Sequence, residues 1–181
     1  MKLLVTGAGG MLGRDVMRAA PDPTGVTHAE LDVTDAAAVH RLIADVRPDA
    51  ILHSAAYTNV AGADLSEERF RPIFARCEEL GLTVFMHPTG FPEASRFRDH
   101  YLTNVIGNPL DTTVAVHHLI FGGVLHQLPN LKLVVAHGGG YLPAYSGRID
   151  HGASARPDTC EHLRHMPTTY LKRLYFDALV Y

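Results

Sequence analysis

The sequence contains no tryptophan and only two cysteines among its 181 residues. No apolar run approaches the ~20 residues that a membrane-spanning helix needs. The stretch before the first glycine is too short for a signal peptide. Lysine and arginine are scattered along the sequence and the formal net charge is −3, so the chain lacks the basic footprint of a nucleic-acid-binding protein. These absences predict a soluble, cytoplasmic protein with neither membrane nor nucleic acid as partner.

The two cysteines, Cys77 and Cys160, lie in different predicted elements, so free thiols are expected rather than a disulfide. The composition is that of a globular protein, with 46% hydrophobic and 19% charged residues. A chain of 181 residues can bury one sizeable core, and its length favours one domain over two.

A glycine-rich turn follows the first apolar run. Leu3–Val5 predicts a buried strand, Gly7-Ala-Gly-Gly-Met-Leu-Gly13 follows it, and a helical pattern comes next. Strand, glycine turn and helix are the context in which backbone amides at a helix N-terminus bind phosphate. We interpret the turn as one inherited from a nucleotide-binding protein. The alternative is a tight strand-to-helix turn without a ligand.

Two further strands and a helix are predicted in the first third. Residues 26–33 contain a second strand, Thr34 is a candidate N-cap for a helix over residues 36–46, and residues 50–56 form a third strand. Small residues at the end of the third strand, Ala55 and Ala56, would let a ligand lie close to the backbone.

Residues 1–60 resemble the extended short-chain dehydrogenase/reductases, specifically the dTDP-4-dehydrorhamnose reductase group. The matching stretches are the opening fourteen residues, Leu31-Asp-Val-Thr-Asp35 and Arg47-Pro-Asp-Ala-Ile-Leu-His-Ser-Ala-Ala-Tyr-Thr58. The resemblance implies that NADP(H) contacts Gly7, Gly10, Met11, Leu12, Gly13, Asp32, Val33, Ala55 and Ala56. The family's catalytic Tyr-x-x-x-Lys is absent from the chain, so no positioned acid for carbonyl reduction is expected.

The remaining two thirds continue the strand and helix alternation. A helix beginning near Arg69 is predicted to end at Gly81. Further helices are predicted over residues 112–128 and 142–149, followed by an irregular stretch at 151–158. Strands are predicted over residues 82–86, 131–136 and 174–180. His87 and His137 directly follow the first two of these strands.

Residues 58–181 resemble the amidohydrolase-related decarboxylases, the group that includes aminocarboxymuconate-semialdehyde decarboxylase. The resemblance rests on residues 70–88, on Asn130-Leu-Lys-Leu-Val-Val-Ala-His-Gly-Gly-Gly140 and on Tyr175-Phe-Asp-Ala-Leu-Val180. Members of this family are (β/α)₈ barrels. The resemblance implies that His87 is a metal ligand and that His137 is a catalytic histidine. It also implies a His-x-His pair and a last-strand Asp, neither of which we find in the chain.

Since a catalytic zinc site typically uses three protein ligands, we predict neither a catalytic nor a metal-binding residue set. His87 and His137 are then histidines left at strand ends, although they could still take up a metal ion adventitiously. The alternative is a metal-dependent amidohydrolase-type decarboxylase or hydrolase that uses both. No cofactor is firmly predicted, and NADP(H) is the candidate at the glycine turn.

The two resemblances meet near residues 56–62 and indicate a chimera, an α/β protein whose segments 1–60 and 58–181 form one domain. We predict a doubly wound, mostly parallel six-stranded sheet in the order 2-1-3-4-5-6, Rossmann-like or flavodoxin-like, with a partly closed barrel-like sheet as the alternative.

The leading hypothesis is an engineered fold recombination without a complete catalytic site, which is not an enzyme and has residual NADP(H) affinity. A natural truncated or misassembled reading frame without a stable fold is a further alternative. The chain is expected to be a monomer or a homo-oligomer formed through an edge strand.

Overall fold

Six parallel strands form one sheet in the order β2-β1-β3-β4-β5-β6 in the computed structural model, which describes residues 1–53, 65–88 and 94–178. The strands are β1 Leu3–Thr6, β2 Pro23–Val26, β3 Ala50–His53, β4 Thr83–Met86, β5 Lys132–Val135 and β6 Tyr175–Phe176. The predicted order and the parallel pairing are confirmed. The sheet is open, with β2 and β6 at its edges, and the barrel-like alternative is therefore wrong.

Helices connect the strands. Their bounds are α1 Met11–Ala19, α2 Ala36–Val46, α3 Arg71–Glu79, α4 Asn108–Phe121, α5 Val124–Gln127, α6 Ser146–Ala155 and α7 Pro167–Leu171. Short 3₁₀ turns lie at Glu68–Phe70, Ala94–Phe97, His137–Gly139 and Pro157–Thr159, and a π-helical turn at Thr103–Gly107 leads into α4. In the part of the chain that the structure describes, no helix has the length and apolarity needed to cross a membrane.

The strand order places α1 on one face of the sheet and the later helices on the other. The chain moves from β1 to β2 in one direction along the sheet and then returns to β3, β4 and β5 in the opposite direction. Right-handed crossovers in opposite directions lie on opposite faces. The fold is therefore doubly wound at β1, and every strand carries its C-terminal end to the same edge of the sheet.

One hydrophobic core joins both predicted segments. Leu4, Ile51, Val84 and Leu133 occupy matching register positions on four adjacent strands, and each is at most 2% exposed. The helices pack apolar side chains against this row: Val39, Ile43, Ile73, Phe74, Val116, Leu119 and Ile120. Burial of such a side chain contributes about 1.5–3 kcal/mol, so this shared row holds the strands of the two segments together.

Two predictions in the first third are wrong. The second strand is β2 at Pro23–Val26 rather than in residues 26–33, because a proline can begin an edge strand, where its missing N–H is not needed. Residues 27–35 instead form successive turns. The N-cap of α2 is Asp35, whose carboxylate accepts a hydrogen bond from the Ala38 amide at 3.0 Å, and not Thr34.

The later helices also differ from their predicted bounds. The helix expected over residues 112–128 begins at Asn108 and divides at Gly122 and Gly123, where Gly123 adopts φ 76°. The helix expected over 142–149 lies at Ser146–Ala155, so most of the stretch predicted as irregular is helical. In both cases a glycine or a tight turn determines the helix boundary, and the spacing of the apolar residues does not reveal it.

Candidate functional site

The glycine turn connects β1 to α1. Gly7 adopts φ 76°, and its carbonyl accepts a hydrogen bond from the Gly10 amide at 3.0 Å. Gly10 is the N-cap of α1 and makes no side-chain cap, so the first amides of the helix are not capped by a side chain. A Cβ at Gly13 would lie 2.4 Å from the Gly7 carbonyl oxygen, so only glycine permits this close packing.

The other predicted cofactor contacts lie in three places. Met11 and Leu12 are the first two residues of α1. Asp32 is exposed, and its carboxylate accepts hydrogen bonds from the backbone amide and the hydroxyl of Thr34 at 2.9 and 2.7 Å, which lower the pKa of Asp32. Val33 is partly buried against the core. Ala55 and Ala56 fall outside the described residues, as does the predicted junction at residues 56–62.

His87 and His137 meet at the C-terminal edge of the sheet. They follow the neighbouring parallel strands β4 and β5, and their ring centroids are 4.7 Å apart. Nδ1 of His87 lies 2.5 Å from the Pro88 carbonyl oxygen, which fixes that nitrogen as the donor. Nδ1 of His137 lies 3.0 Å from the Thr112 hydroxyl on α4. The chain thus orients both imidazoles through Nδ1.

Asp177 is the third member of this cluster. It follows β6, and its carboxylate accepts a hydrogen bond from the Gly138 amide at 2.8 Å. Burial lowers the pKa of His87 and of His137, while the negative charge of Asp177 acts in the opposite direction on both. The sequence analysis missed this residue as part of a site. The strand was predicted over residues 174–180 and so ran through Asp177, whereas β6 ends at Phe176 and leaves Asp177 at the sheet edge where parallel strands end.

The backbone around His137 is strained. His137 adopts φ 56°, the left-handed region that costs a non-glycine residue about 1–2 kcal/mol, and three glycines with positive φ follow it. Such strain persists where the surrounding structure fixes it, and it is common at functional sites. Here Thr112, which is 1% exposed, and Asp177 hold the segment from two sides.

The cluster does not make up a catalytic metal site within the described ranges. No group of three histidine, cysteine, aspartate or glutamate side chains in residues 1–53, 65–88 and 94–178 is placed to hold a metal ion. A catalytic zinc typically requires three protein ligands and an open position. Two oriented imidazoles beside a carboxylate can instead exchange protons or bind an ion weakly.

Family patterns match both parts of the chain. The amidohydrolase pattern matches residues 55–181, and the pattern of the RmlD substrate binding domain matches residues 1–79. A 2-amino-3-carboxymuconate-6-semialdehyde decarboxylase from Dictyostelium discoideum is 42% identical over 125 residues, which are 68% of this chain and 35% of that protein. A probable dTDP-4,6-dihydroxy-2-methyloxan-3-one 4-ketoreductase from Streptomyces antibioticus is 41% identical over 71 residues, 37% of this chain and 24% of that one.

The fold is also similar to that of solved decarboxylases. A 5-carboxyvanillate decarboxylase from Novosphingobium aromaticivorans, crystallised with bound manganese, superposes with a TM-score of 0.70 at 23% identity. The superposition covers 90% of this chain and 49% of that protein, so the chain spans about half of this decarboxylase and about a third of the Dictyostelium one. Both resemblances seen in the sequence are therefore confirmed, and because the longer match covers more than half of its residues, the chain belongs to the amidohydrolase family.

Proposed function

We propose that the chain is a hybrid of a reductase segment and an amidohydrolase segment, that it completes neither catalytic set, and that it binds NADP(H) at the glycine turn. The two matched ranges overlap over residues 55–79, which supports a junction within one α/β domain. The chain has neither Tyr-x-x-x-Lys nor His-x-His, which supports the absence of both parental reactions.

The observation that carries the binding proposal is the close packing of Gly13 on the Gly7 carbonyl. It sets the N-terminus of α1 against the turn, where backbone amides and the positive end of the helix dipole favour a diphosphate. Gly9 and Gly10 are exposed at this position, so a ligand can reach the amides. The proposed role of Asp32 and Val33 is to border the adenosine side of the site.

A charge placed in the turn tests this proposal. Gly9 is exposed, and among the described residues a Cβ added there meets only the Thr27 methyl group, at 3.4 Å, so we expect Gly9→Asp to leave the fold intact and to add a negative charge beside the phosphates. We expect NADPH affinity, measured by calorimetric titration, to fall at least about tenfold. The matched control is Gly147→Asp on α6, where no described residue has an atom within 4 Å of an added Cβ, and it should bind as the parent does. Failure of the parent to saturate at millimolar NADPH would refute the binding proposal.

The second candidate is metal-dependent decarboxylase or hydrolase chemistry at His87 and His137. The 4.7 Å approach of the two rings favours it, together with the decarboxylase names of the relatives of this segment. This candidate requires additional ligands that the described residues do not supply. The test is metal analysis after incubation with zinc or manganese and exhaustive dialysis. Bound metal well below one equivalent would eliminate this candidate.

A further inference from the structure

The strand β6 has one unpaired side. It pairs with β5 through Val134–Tyr175 and Val135–Phe176, and in the described part of the chain no strand pairs with its other side. The Asp177 amide donates to the Val135 carbonyl oxygen at 3.1 Å. Because backbone groups alternate between the two sides of a strand, the amide and the carbonyl of Phe176 point away from β5. The open edge of the sheet therefore presents a hydrogen-bond donor and an acceptor.

The side chains of β6 are apolar and exposed. Tyr175 is 61% exposed and Phe176 is 37% exposed. The strand register places Tyr175 in one row with Val134, Phe85 and Leu52 on the neighbouring strands. Since side chains alternate between the faces of a sheet, this row lies on the face opposite the core row described above. An apolar row thus ends in an exposed aromatic ring at the sheet edge.

The opposite edge of the sheet is less able to pair. β2 contains Pro23, which has no amide to donate, and Gly25, which has no side chain to pack. β6 contains neither proline nor a charged residue. Pairing of β6 with β2 of the next copy, which would build an open filament, is therefore disfavoured. Pairing of β6 with β6 of a second copy gives a closed, two-fold arrangement.

Charges at the two ends of β6 favour an antiparallel pair. Arg173 lies two residues before Tyr175 and Asp177 lies two residues after it. The Arg173 guanidinium donates to three backbone carbonyls, and the Asp177 carboxylate accepts from the Gly138 amide, so neutral groups hold both charges. Antiparallel pairing centred on Tyr175 places Arg173 opposite the partner's Asp177. Parallel pairing in register would place like charges side by side.

We propose that two copies of this chain associate through antiparallel pairing of their β6 strands, with the two Tyr175 rings in contact at the two-fold axis. The Phe176 amide of each copy donates to the carbonyl of the partner's Leu174, and the two sheets become one continuous sheet. A contact of this length is smaller than the ~1,200 Å² of a stable interface, so the expected dissociation constant is about 0.1 mM.

Sedimentation of the whole chain tests the association. We expect the mean mass to rise from that of a monomer at about 10 µM towards that of a dimer at about 1 mM. Tyr175→Lys should keep the chain monomeric, because two like charges would oppose each other at the axis. Tyr175 is exposed, so this variant should keep the melting temperature of the parent. Tyr145→Lys changes a tyrosine of similar exposure, 57%, away from β6, and as the matched control it should associate as the parent does.

Disulfide trapping tests the register. In a Cys160→Ser background, Tyr175→Cys should give a disulfide-linked dimer on mild oxidation, because opposed Cβ atoms of an antiparallel pair lie about 4.5–5.5 Å apart. Cys77 is 1% exposed and should not react. Tyr145→Cys in the same background is the control and should cross-link much more slowly.

The proposal fails if the chain stays monomeric at about 1 mM, or if Tyr175→Lys associates as the parent does. Loss of association in Tyr145→Lys alone would assign the contact to another surface. Species that grow beyond a dimer with concentration would contradict the two-fold arrangement, because only an open, head-to-tail contact produces them.

Discussion

The Thr6 hydroxyl lies 2.7 Å from Nδ1 of His53, and this buried contact joins the ends of β1 and β3. Both side chains are at most 6% exposed. A polar pair in such a place is tolerated because each partner satisfies the other, and it costs stability once one of them changes its charge. The ends of the first and third strands are therefore sensitive to protonation.

Acidification should destabilise the protein through His53. Burial lowers the pKa of His53 from 6.5 to about 4. Between these values the unfolded chain binds a proton at His53 that the folded chain does not, so the free energy of unfolding falls as the pH falls from 6.5 to 4. The full loss is about 3 kcal/mol. Urea unfolding at a series of pH values measures it, and His53→Gln should flatten the slope relative to the parent. An unchanged slope in that variant would contradict the assignment.

Gly140 should tolerate no side chain. It adopts φ 67°, and a Cβ would lie 2.4 Å from both the Pro109 carbonyl oxygen and the Thr113 hydroxyl. We expect Gly140→Ala to lower the free energy of unfolding by about 2 kcal/mol or more. Gly147→Ala lies on the exposed side of α6, where the described part of the chain places nothing within 4 Å of the new Cβ, and it should raise the free energy of unfolding by about 0.5–1 kcal/mol. Denaturant unfolding of the two variants checks both signs, and similar effects at the two positions would refute this account.

The positions of several strands could be predicted because short buried apolar runs mark them, and their order followed from the reductase resemblance and the sequential addition of the later strands. Leu3–Val5, residues 82–86 and residues 131–136 are short apolar stretches bounded by turn residues, and each overlaps a strand closely. The edge strand β2 could not be found in this way, because Pro23 and Gly25 have low strand propensity and interrupt any apolar run. Its parallel pairing with β1 is a tertiary effect that outweighs local preference.

The candidate site was predictable only in part. His87 and His137 follow apolar strands that pair with each other, so the topology alone brings them to one sheet edge. The roles of Thr112 and Asp177 depend on how α4 and β6 pack against the His137 segment, and no local pattern encodes these contacts. The α4 boundaries were missed for a related reason, since its first residues continue a π-helical turn.

Removal of the charge of Asp177 should make both site histidines harder to protonate. Asp177→Asn keeps an oxygen that can accept the Gly138 hydrogen bond, but it deletes the negative charge that raises the pKa of His87 and His137. We expect both pKa values to fall further below 6.5, as followed by NMR titration of the imidazole protons. Asp158→Asn, an exposed substitution at the end of α6, is the control and should leave both titrations in place. An increase in the pKa of either histidine in Asp177→Asn would show that the carboxylate does not act on the rings through its charge.

The two segments should unfold together. Core residues from β1 and α2 belong to the same hydrophobic cluster as those from α3, β4, α4 and β5, so neither segment buries its apolar face without the other.

Cys77 on α3 provides an internal probe, because burial raises the pKa of its thiol to about 12, whereas Cys160 is only partly buried. A thiol reagent should modify Cys160 rapidly and Cys77 only at the rate of global unfolding. In a Cys160→Ser background, the labelling of Cys77 should follow the same single denaturation transition as far-UV circular dichroism. Two transitions, or fast labelling of Cys77 in native conditions, would mean that the segments fold independently and that the shared row of Leu4, Ile51, Val84 and Leu133 does not couple them.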